Sequence, residues 1–311
     1  MRVSASISSI SFRDLPGIVQ KMEQGGVDAW HLDSIESREV FPQAELIRKI
    51  SGKPMDLHLI TSDPVKYWNE IRRTGIEATS VQLEKLHSPL FIPKDLRGKV
   101  GMALLANTQP EMFVPYADHS AWLLIMTTTP GYSGGTFQIS HFEKIVRFKL
   151  KFPHMPIFVD GGVIPEIAAV LRMIGVEQVV SGSFLLSGSG VEERVKSLKE
   201  SMLQEGKVKD IMVRRTHWPA DFKIFSDQNT DTSSTEDEPE YQFFINKRGE
   251  LSRINKVISG VLPLIIHEDL ALPMLNKAIQ SFSGEISIIS VVNDLFQLTG
   301  MLSLSKPKIH I

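Results

Sequence analysis

The sequence predicts a (β/α)₈ TIM barrel over residues 1–208, followed by a small α/β domain. Up to about residue 205, short runs of β-forming residues alternate with segments whose apolar residues recur at helical spacing. Residues 226–240 are rich in Ser, Thr, Asp, Glu and Asn and have almost no apolar side chain, which is typical of a solvated linker. Apolar runs return after residue 240. We therefore divide the chain into a barrel at 1–208, a linker at 209–240 and a second domain at 241–311.

Eight strand-like runs account for the barrel. They are residues 2–7, 27–32, 54–60, 78–83, 100–105, 122–126, 156–159 and 176–180. Helical spacing predicts helices at 14–24, 41–50, 63–74, 142–149, 165–174 and 191–203. A doubly wound open sheet is the alternative, but no Gly-x-Gly-x-x-Gly motif follows the first strand. The closed barrel is the better interpretation.

The second domain is small, at roughly 70 residues. We expect strands at 241–246, 261–266 and 285–292, and helices at 251–258 and 270–282. We find no cluster of catalytic residue types in this region. We therefore expect it to serve assembly or regulation, with a surface for a protein partner, and we expect the chain to form a homo-oligomer.

Composition excludes several classes of function. The 311 residues carry a net charge of −2, from 34 basic and 36 acidic side chains, which gives no electrostatic case for nucleic acid or an anionic membrane. There is no cysteine, so a bound metal must use His, Asp or Glu. The N-terminus resembles a strand rather than a signal peptide, and no run approaches the roughly 20 apolar residues of a membrane span. We expect a cytoplasmic protein.

Imidazole and carboxylate side chains lie at the ends of three predicted strands. The second strand ends in His31 and Asp33, the third in Asp56 and His58, and the seventh in Asp160. Residues two apart in a strand share a face, and the carboxyl ends of barrel strands meet at one rim. These side chains can therefore hold one divalent cation, and Zn²⁺, Fe²⁺, Mn²⁺ and Co²⁺ all suit such ligands.

Two qualifications apply to this cluster. A single His-x-Asp pair in a strand is more often structural than functional, but three independent strand ends favour a site. We expect Asp56 either to lie deeper in the barrel than the others or to orient a neighbouring ligand by accepting a hydrogen bond, rather than to bind the metal itself.

Glycine-bearing loops follow the last three barrel strands. Loops at this position of a barrel commonly hold a phosphate group through their backbone N–H groups. The alternative is that the glycines only make tight turns, but three successive loops of this kind favour a phosphate site. The residues concerned are Gly131, Tyr132, Ser133 and Gly134 after the sixth strand, Gly161 and Gly162 after the seventh, and Gly182 and Ser183 after the eighth.

Together these motifs resemble the ribulose-phosphate 3-epimerase family from about residue 3 to residue 203. The residues that carry the resemblance are Ala5-Ser6-Ile7, His31-Leu32-Asp33, Asp56-Leu57-His58-Leu59, Met126-Thr127, Pro130-Gly131-Tyr132-Ser133-Gly134, Val159-Asp160-Gly161-Gly162 and Val180-Ser181-Gly182-Ser183. The resemblance implies a barrel of the ribulose-phosphate-binding type and an isomerase of carbohydrate metabolism. The implied reaction is epimerisation at C3 of D-ribulose 5-phosphate, or of a related ketose phosphate.

The resemblance also implies roles for individual residues. His31, Asp33, His58 and Asp160 would bind the catalytic metal. Asp33 and Asp160 would in addition act as acid and base on opposite faces of the substrate. Ser6, His58 and Asp160 would contact the substrate, and the three glycine loops would hold its phosphate.

The chain departs from the family pattern at four places. Residues 34–37 replace a Met-Asp-Gly sequence after Asp33, and Gln82-Leu83-Glu84 replaces a His-x-Glu on the fourth strand. Gly135 stands where Gln is common, and Ile60 where Met is common. All four metal-ligand positions remain, so the resemblance still implies the same chemistry. The residues around the substrate differ, which leaves a related ketose phosphate open as the substrate in place of D-ribulose 5-phosphate.

Two other functions remain open from the sequence. Lyases of the same barrel superfamily place a Lys in an Asp-x-Lys pair on the third strand, where this chain has His58. A non-catalytic sensor of sugar phosphates, signalling through the C-terminal domain, is suggested by that domain and by the altered loop after Asp33. Retention of both Asp33 and Asp160 favours the epimerase over the sensor, because a binding protein does not need an acid–base pair.

Overall fold

Eight parallel strands close into a barrel in the computed structural model. The structure describes residues 1–200 except 139, 153 and 189, and seven strands beyond residue 200. The barrel strands are β1 Arg2–Ser6, β2 Ala29–Ile35, β3 Met55–Ile60, β4 Ala78–Gln82, β5 Val100–Leu105, β6 Leu123–Met126, β7 Ile157–Asp160 and β8 Gln178–Ser181. They pair in sequence order, and β8 pairs with β1. The predicted TIM barrel is confirmed.

Seven α-helices lie in the same part of the chain. They are α1 Leu15–Gln24, α2 Val40–Ile50, α3 Trp68–Thr74, α4 Ser140–Lys151, α5 Pro165–Met173, α6 Ser183–Leu186 and α7 Val191–Glu200. Their apolar residues follow helical spacing, as in α1, where Leu15, Val19 and Met22 are buried. A left-handed glycine, Gly75 with φ +68°, ends α3.

Two crossovers are built from 3₁₀ helices. The connection from β4 to β5 contains Leu83–Lys85 and Lys94–Leu96, and the connection from β5 to β6 contains Pro110–His119. Proline lacks the N–H group that an α-helix interior requires, and Pro115 lies inside the second connection. Among the described residues, the connections from β4 to β5 and from β5 to β6 therefore use 3₁₀ helix in place of an α-helix.

Large side chains fill the barrel at the amino ends of its strands. Trp122 stacks on Phe158 with ring centroids 5.6 Å apart, and the guanidinium of Arg2 lies 5.5 Å from the Phe158 ring. The Trp122 indole N–H donates to Ser80 Oγ at 2.8 Å. Alternate residues of β6 continue this core upward to Met126, which lines the cavity at the carboxyl ends. The cavity thus lies above this core, at the carboxyl ends of the strands.

The chain divides into two compact units. One contains all eight barrel strands, and the other contains α4 and the seven later strands. The later strands form one three-stranded and one four-stranded sheet. They are β9 Val213–Arg214, β10 Lys223–Ser226, β11 Tyr241–Ile245, β12 Leu251–Lys256, β13 Leu264–His267, β14 Ile288–Val292 and β15 Leu298–Ser303.

The strands predicted after residue 240 correspond to β11, β13 and β14. The helix predicted at 251–258 is wrong, because β12 pairs antiparallel with β11 along this stretch, and sheet pairing overrides a short apolar pattern. The helix predicted at 270–282 lies outside the described residues. The range predicted as a linker contains β9 and β10, and the domain boundaries at 208 and 240 stay a prediction. Among the described residues, no helix has the length and apolar character needed to cross a membrane.

Candidate metal centre and active site

The carboxyl ends of β2, β3 and β7 bring four predicted ligands together. One ligand atom from each of His31, Asp33, His58 and Asp160 lies within 4.8 Å of the others. The pairing of β2 with β3 places Asp33 opposite His58 and His31 opposite Asp56. Asp160 is the last residue of β7, so it reaches the same rim from across the barrel. The convergence expected from the sequence is therefore present, and metal binding by these residues stays a prediction.

His31 presents an unpartnered nitrogen to this cluster. Its side chain is buried, and its Nε2 atom lies 3.5 Å from an oxygen of Asp33 and 3.5 Å from an oxygen of Asp160. Nε2 makes a hydrogen bond to neither carboxylate. A buried polar atom without a partner is costly, and a bare imidazole nitrogen between two carboxylates is a donor set that suits a divalent cation. The residues therefore fit the metal that the resemblance implies.

Asp56 determines which ring nitrogen of His31 faces the cluster. One of its carboxylate oxygens pairs with His31 Nδ1, and the other accepts the Ser4 hydroxyl at 2.6 Å and the Gln178 side-chain amide at 3.0 Å. A carboxylate that receives these donors acts as an acceptor, so His31 keeps a proton on Nδ1, and in the neutral ring the Nε2 lone pair faces the cluster. The predicted contact of Asp56 with a neighbouring histidine is present, and its role in orienting a metal ligand stays a prediction.

His58 approaches the cluster with its other nitrogen. Its side chain is fully buried, and Nδ1 lies 3.2 Å from an oxygen of Asp33. Its Nε2 atom hydrogen-bonds to Oε1 of the buried Gln82 at 2.6 Å. The rings of His31 and His58 are 6.3 Å apart and inclined by 40°. The two imidazoles therefore face the same point through different atoms, Nε2 of His31 and Nδ1 of His58.

The two carboxylates of the cluster have opposite pKa shifts. Burial raises the pKa of Asp160 to about 6, and the nearby charge of Asp33 adds to this effect. Burial would also raise the pKa of Asp33, but the nearby charge of His31, together with His58, outweighs it and lowers that pKa. Burial likewise opposes the charged form of His31, yet Asp56 and Asp33 raise its pKa well above the usual value. Before a metal binds, a proton is therefore held more readily by Asp160 than by Asp33.

A polar cavity opens directly above this cluster. Eleven of the predicted site residues line it, namely Ser6, Asp33, Gly131, Tyr132, Ser133, Gly134, Asp160, Gly161, Gly162, Gly182 and Ser183. His31 and His58 are too deeply buried to be part of the lining. The cavity also has lining residues that the sequence analysis did not propose, and these are Ser8, Ser9, Met126, Thr128, Gly135, Val163, Val180 and Ser181.

The loop after β7 has a conformation that requires glycine. Gly161 and Gly162 have φ values of +118° and +63°, a region that other residues enter only with strain. A Cβ atom at Gly161 would overlap Thr128, and one at Gly162 would overlap the Phe137 backbone. The Thr127 hydroxyl holds this loop by donating to the carbonyl oxygens of Asp160 at 2.9 Å and Gly161 at 2.6 Å.

Several supporting residues escaped the sequence analysis. Ser8 Oγ accepts the backbone N–H of Asp33 at 2.7 Å, and because Ser8 lies in the turn after β1, strand alternation gives no signal for it. Ser4 precedes Ser6 by two residues and binds Asp56. Gln82 was noted only as a departure from the family pattern. Gln178 gives no local signal, because its contact with Asp56 joins residues 122 positions apart.

Comparison with known proteins agrees with this geometry. The model of the ribulose-phosphate 3-epimerase family matches residues 2–186. A ribulose-phosphate 3-epimerase of Bacillus subtilis is 28% identical over 215 residues, which cover 64% of this chain and 97% of the relative. The Candida glabrata enzyme of the same name is 24% identical, covering 68% of this chain and 96% of the relative.

A third relative, the chloroplastic ribulose-5-phosphate-3-epimerase of Arabidopsis thaliana, is 29% identical over 64% of this chain and 76% of its own length. These matches cover the barrel and leave about a third of the chain outside the alignments. Since the family match spans more than half of the 311 residues, the chain belongs to the ribulose-phosphate 3-epimerase family and is an isomerase.

Proposed function

We propose that this enzyme epimerises a ketose phosphate at C3, with D-ribulose 5-phosphate and D-xylulose 5-phosphate as the first pair to test. The observation that carries the proposal is the pair Asp33 and Asp160. Each has a carboxylate oxygen 3.5 Å from His31 Nε2, and the two have opposite pKa shifts. Both carboxylates line the cavity, where a substrate would meet them.

Two such carboxylates can perform the reaction. The hydrogen on the carbon next to a ketone is acidic enough to be removed by a positioned carboxylate. One acid takes this proton from one face of the carbon, and the other returns a proton to the opposite face, which inverts the centre. In the metal-free site the lowered pKa of Asp33 favours the ionised carboxylate and the raised pKa of Asp160 favours the protonated acid, so the two groups differ in proton affinity before a cation displaces that proton. Their roles exchange in the reverse direction.

One divalent cation would be held by four side chains, those of His31, Asp33, His58 and Asp160. Zn²⁺, Fe²⁺, Mn²⁺ and Co²⁺ suit these ligands equally well. When bound, such a cation supplies positive charge that stabilises negative charge developing on the substrate oxygens. Asp56 keeps His31 oriented for this task through its contact with Nδ1. The Ser8 hydroxyl fixes the backbone that carries Asp33.

The phosphate group of the substrate is assigned to the glycine loops. Five glycines of these loops line the cavity, namely Gly131, Gly134, Gly161, Gly162 and Gly182. Backbone N–H groups can approach an anion closely where no Cβ intervenes. Ser6 lies against the last of these loops, since a Cβ atom at Gly182 would come within 3.1 Å of the Ser6 Cβ. We therefore place the sugar between Ser6 and the two acids.

The test is proton NMR of D-ribulose 5-phosphate in D₂O with metal-loaded enzyme, beside the variant Asp160→Asn. We expect deuterium at C3 together with D-xylulose 5-phosphate for the wild type, and loss of D-xylulose 5-phosphate formation in the variant, where Asp33 alone can at most exchange the C3 proton without inversion. Formation of D-xylulose 5-phosphate at the wild-type rate by Asp160→Asn would contradict the two-acid mechanism. Binding of sugar phosphates without any C3 exchange would instead favour the sensor function that the C-terminal region suggests.

A further inference from the structure

A chain of hydrogen bonds runs from the barrel wall to the metal centre through Gln82 and Glu84. The backbone N–H of Leu105 and the hydroxyl of Thr108 both donate to Oε1 of Glu84, the former at 2.9 Å. The other oxygen of Glu84 receives the Gln82 side-chain amide N–H. Gln82 in turn meets His58 Nε2 through its carbonyl oxygen, at 2.6 Å.

The direction of every bond in this chain follows from its outer end. A backbone N–H can only donate, so Glu84 accepts at Leu105. A carboxylate offers no proton, so Gln82 must turn its NH₂ group to Glu84. The Gln82 carbonyl oxygen is then left to face His58. Since a carbonyl oxygen can only accept, His58 must carry a proton on Nε2.

We infer that Glu84, acting through Gln82, is a positioning residue that fixes the tautomer of His58 and so makes Nδ1 its metal-binding atom. This inference rests on the proposed metal centre. Neither Gln82 nor Glu84 is among the four clustered ligands or the cavity-lining residues. We therefore assign their role to the imidazole, which Gln82 contacts directly.

Without Gln82, the nearby Asp33 would favour a proton on His58 Nδ1. A carboxylate oxygen of Asp33 lies 3.2 Å from His58 Nδ1, and a proton on Nδ1 would make a charge-assisted hydrogen bond to it. That proton would occupy the nitrogen needed by a cation. The Gln82 carbonyl holds the proton on the far side of the ring, at the shorter distance of 2.6 Å. Both His58 and Gln82 are buried, so water cannot readily take over this contact.

The substitution Glu84→Gln tests the direction of the chain. Glutamine has nearly the same shape, and its carbonyl oxygen can still accept from Leu105 and Thr108. Its NH₂ group would then face the NH₂ group of Gln82, which would turn over and present N–H to His58. The imidazole would shift its proton to Nδ1. We expect Zn²⁺ to bind Glu84→Gln about 10- to 100-fold more weakly than wild type, as for other changes around metal ligands.

The readouts are calorimetric titration of the full chain with Zn²⁺ and long-range ¹H–¹⁵N NMR of ¹⁵N-histidine protein. The spectrum of metal-free protein is recorded at about pH 8, where an ordinary imidazole is neutral. Wild type should show His58 protonated at Nε2, and Glu84→Gln should show it at Nδ1. Thr108→Val is the matched control, because it removes one bond to Glu84 without reversing any other, and it should keep the wild-type tautomer. Gln82→Met removes the acceptor altogether and should give a mixture of tautomers.

Unchanged Zn²⁺ affinity and an unchanged His58 tautomer in Glu84→Gln would overturn the inference while leaving the metal centre intact. A wild-type protein that does not bind Zn²⁺ through His58 would overturn the metal centre and the inference together. A melting curve of each variant distinguishes loss of binding from loss of folding.

Discussion

Nε2 of His31 and a carboxylate oxygen of Asp160 lie 3.5 Å apart without a hydrogen bond between them. The two groups come from strands on different sides of the barrel, β2 and β7. A proton on either one competes with a cation for the same space. Protonation, metal binding and folding are therefore linked at this pair.

The first prediction concerns the pH dependence of metal binding. The raised pKa values of Asp160, about 6, and of His31 mean that the metal-free protein must lose protons to bind a cation. We expect the apparent Zn²⁺ affinity to rise with pH through about 6. Calorimetry in two buffers of different ionisation enthalpy measures the protons released. Asp160→Asn should release fewer protons than wild type, and equal release by both proteins would contradict the assignment.

The second prediction concerns turnover. Asp160→Asn keeps the shape of the side chain but removes its ability to exchange a proton with the substrate. We expect the rate of C3 epimerisation to fall at least about 100-fold, the usual contribution of a general acid or base. Asp95→Asn is the matched control, because Asp95 is an exposed residue paired with Arg72. It should retain wild-type turnover, and similar losses in both variants would point to a general defect.

The third prediction is that the Asp160→Asn variant is more stable than the wild type when no metal is bound. Burial raises the pKa of Asp160 from 3.8 to about 6, so the folded state binds this proton more tightly than the unfolded state. Stability is then lost as pH rises from 3.8 towards 6. At neutral pH, Asp160→Asn should gain about 1–3 kcal/mol. Urea unfolding at neutral pH and near pH 4 checks this, since the gain should shrink when Asp160 is protonated. A variant less stable than wild type at neutral pH would refute the prediction.

The fourth prediction concerns Asp56. It faces three donors, from His31, Ser4 and Gln178. In Asp56→Asn the new NH₂ group is itself a donor and must face one of these three donors, so His31 should lose its fixed orientation. We expect Zn²⁺ affinity to fall about 10- to 100-fold, measured by calorimetry. Asp28→Asn is a suitable control, since Asp28 binds Val3 and Lys199 away from the cluster. Equal Zn²⁺ affinity of the Asp56 and Asp28 variants would rule out an orienting role.

The fifth prediction compares two glycines with similar backbone angles. Gly162 has φ +63° and Gly188 has φ +74°, so alanine is strained at both by about 1–2 kcal/mol. A Cβ atom at Gly162 would overlap the Phe137 backbone, whereas at Gly188 its nearest neighbour is Arg194 at 3.8 Å. We expect Gly162→Ala to raise the KM for the sugar phosphate several-fold and Gly188→Ala to lower only stability. Steady-state kinetics with thermal melting separates these effects, and an unchanged KM in Gly162→Ala would remove this loop from the phosphate site.

The sequence was sufficient to predict the barrel and the convergence of four His and Asp side chains, because both depend on simple periodicities. Strand residues two apart share a face, and parallel strands end at one rim, so His31, Asp33, His58 and Asp160 could be placed together without coordinates. The position of Asp56 beneath them followed from the same alternation.

What the sequence could not show depends on closure of the barrel and on the direction of hydrogen bonds. Gln178 meets Asp56 only because β8 returns to pair with β1. The role of Gln82 depends on which end of its amide faces His58, a choice set by Glu84 on a neighbouring turn. The stretch 251–258 has apolar residues at helical spacing, but its partner β11 makes it a strand.

The cavity lining described above contains serine, threonine and glycine but neither lysine nor arginine. A phosphate held there would be bound by fixed dipoles at short range rather than by mobile cationic side chains. Dissolved salt screens separated charges over about 8–10 Å but weakens buried, direct contacts much less. The Michaelis constant of this enzyme should accordingly depend less on salt concentration than it would if lysine or arginine side chains held the phosphate.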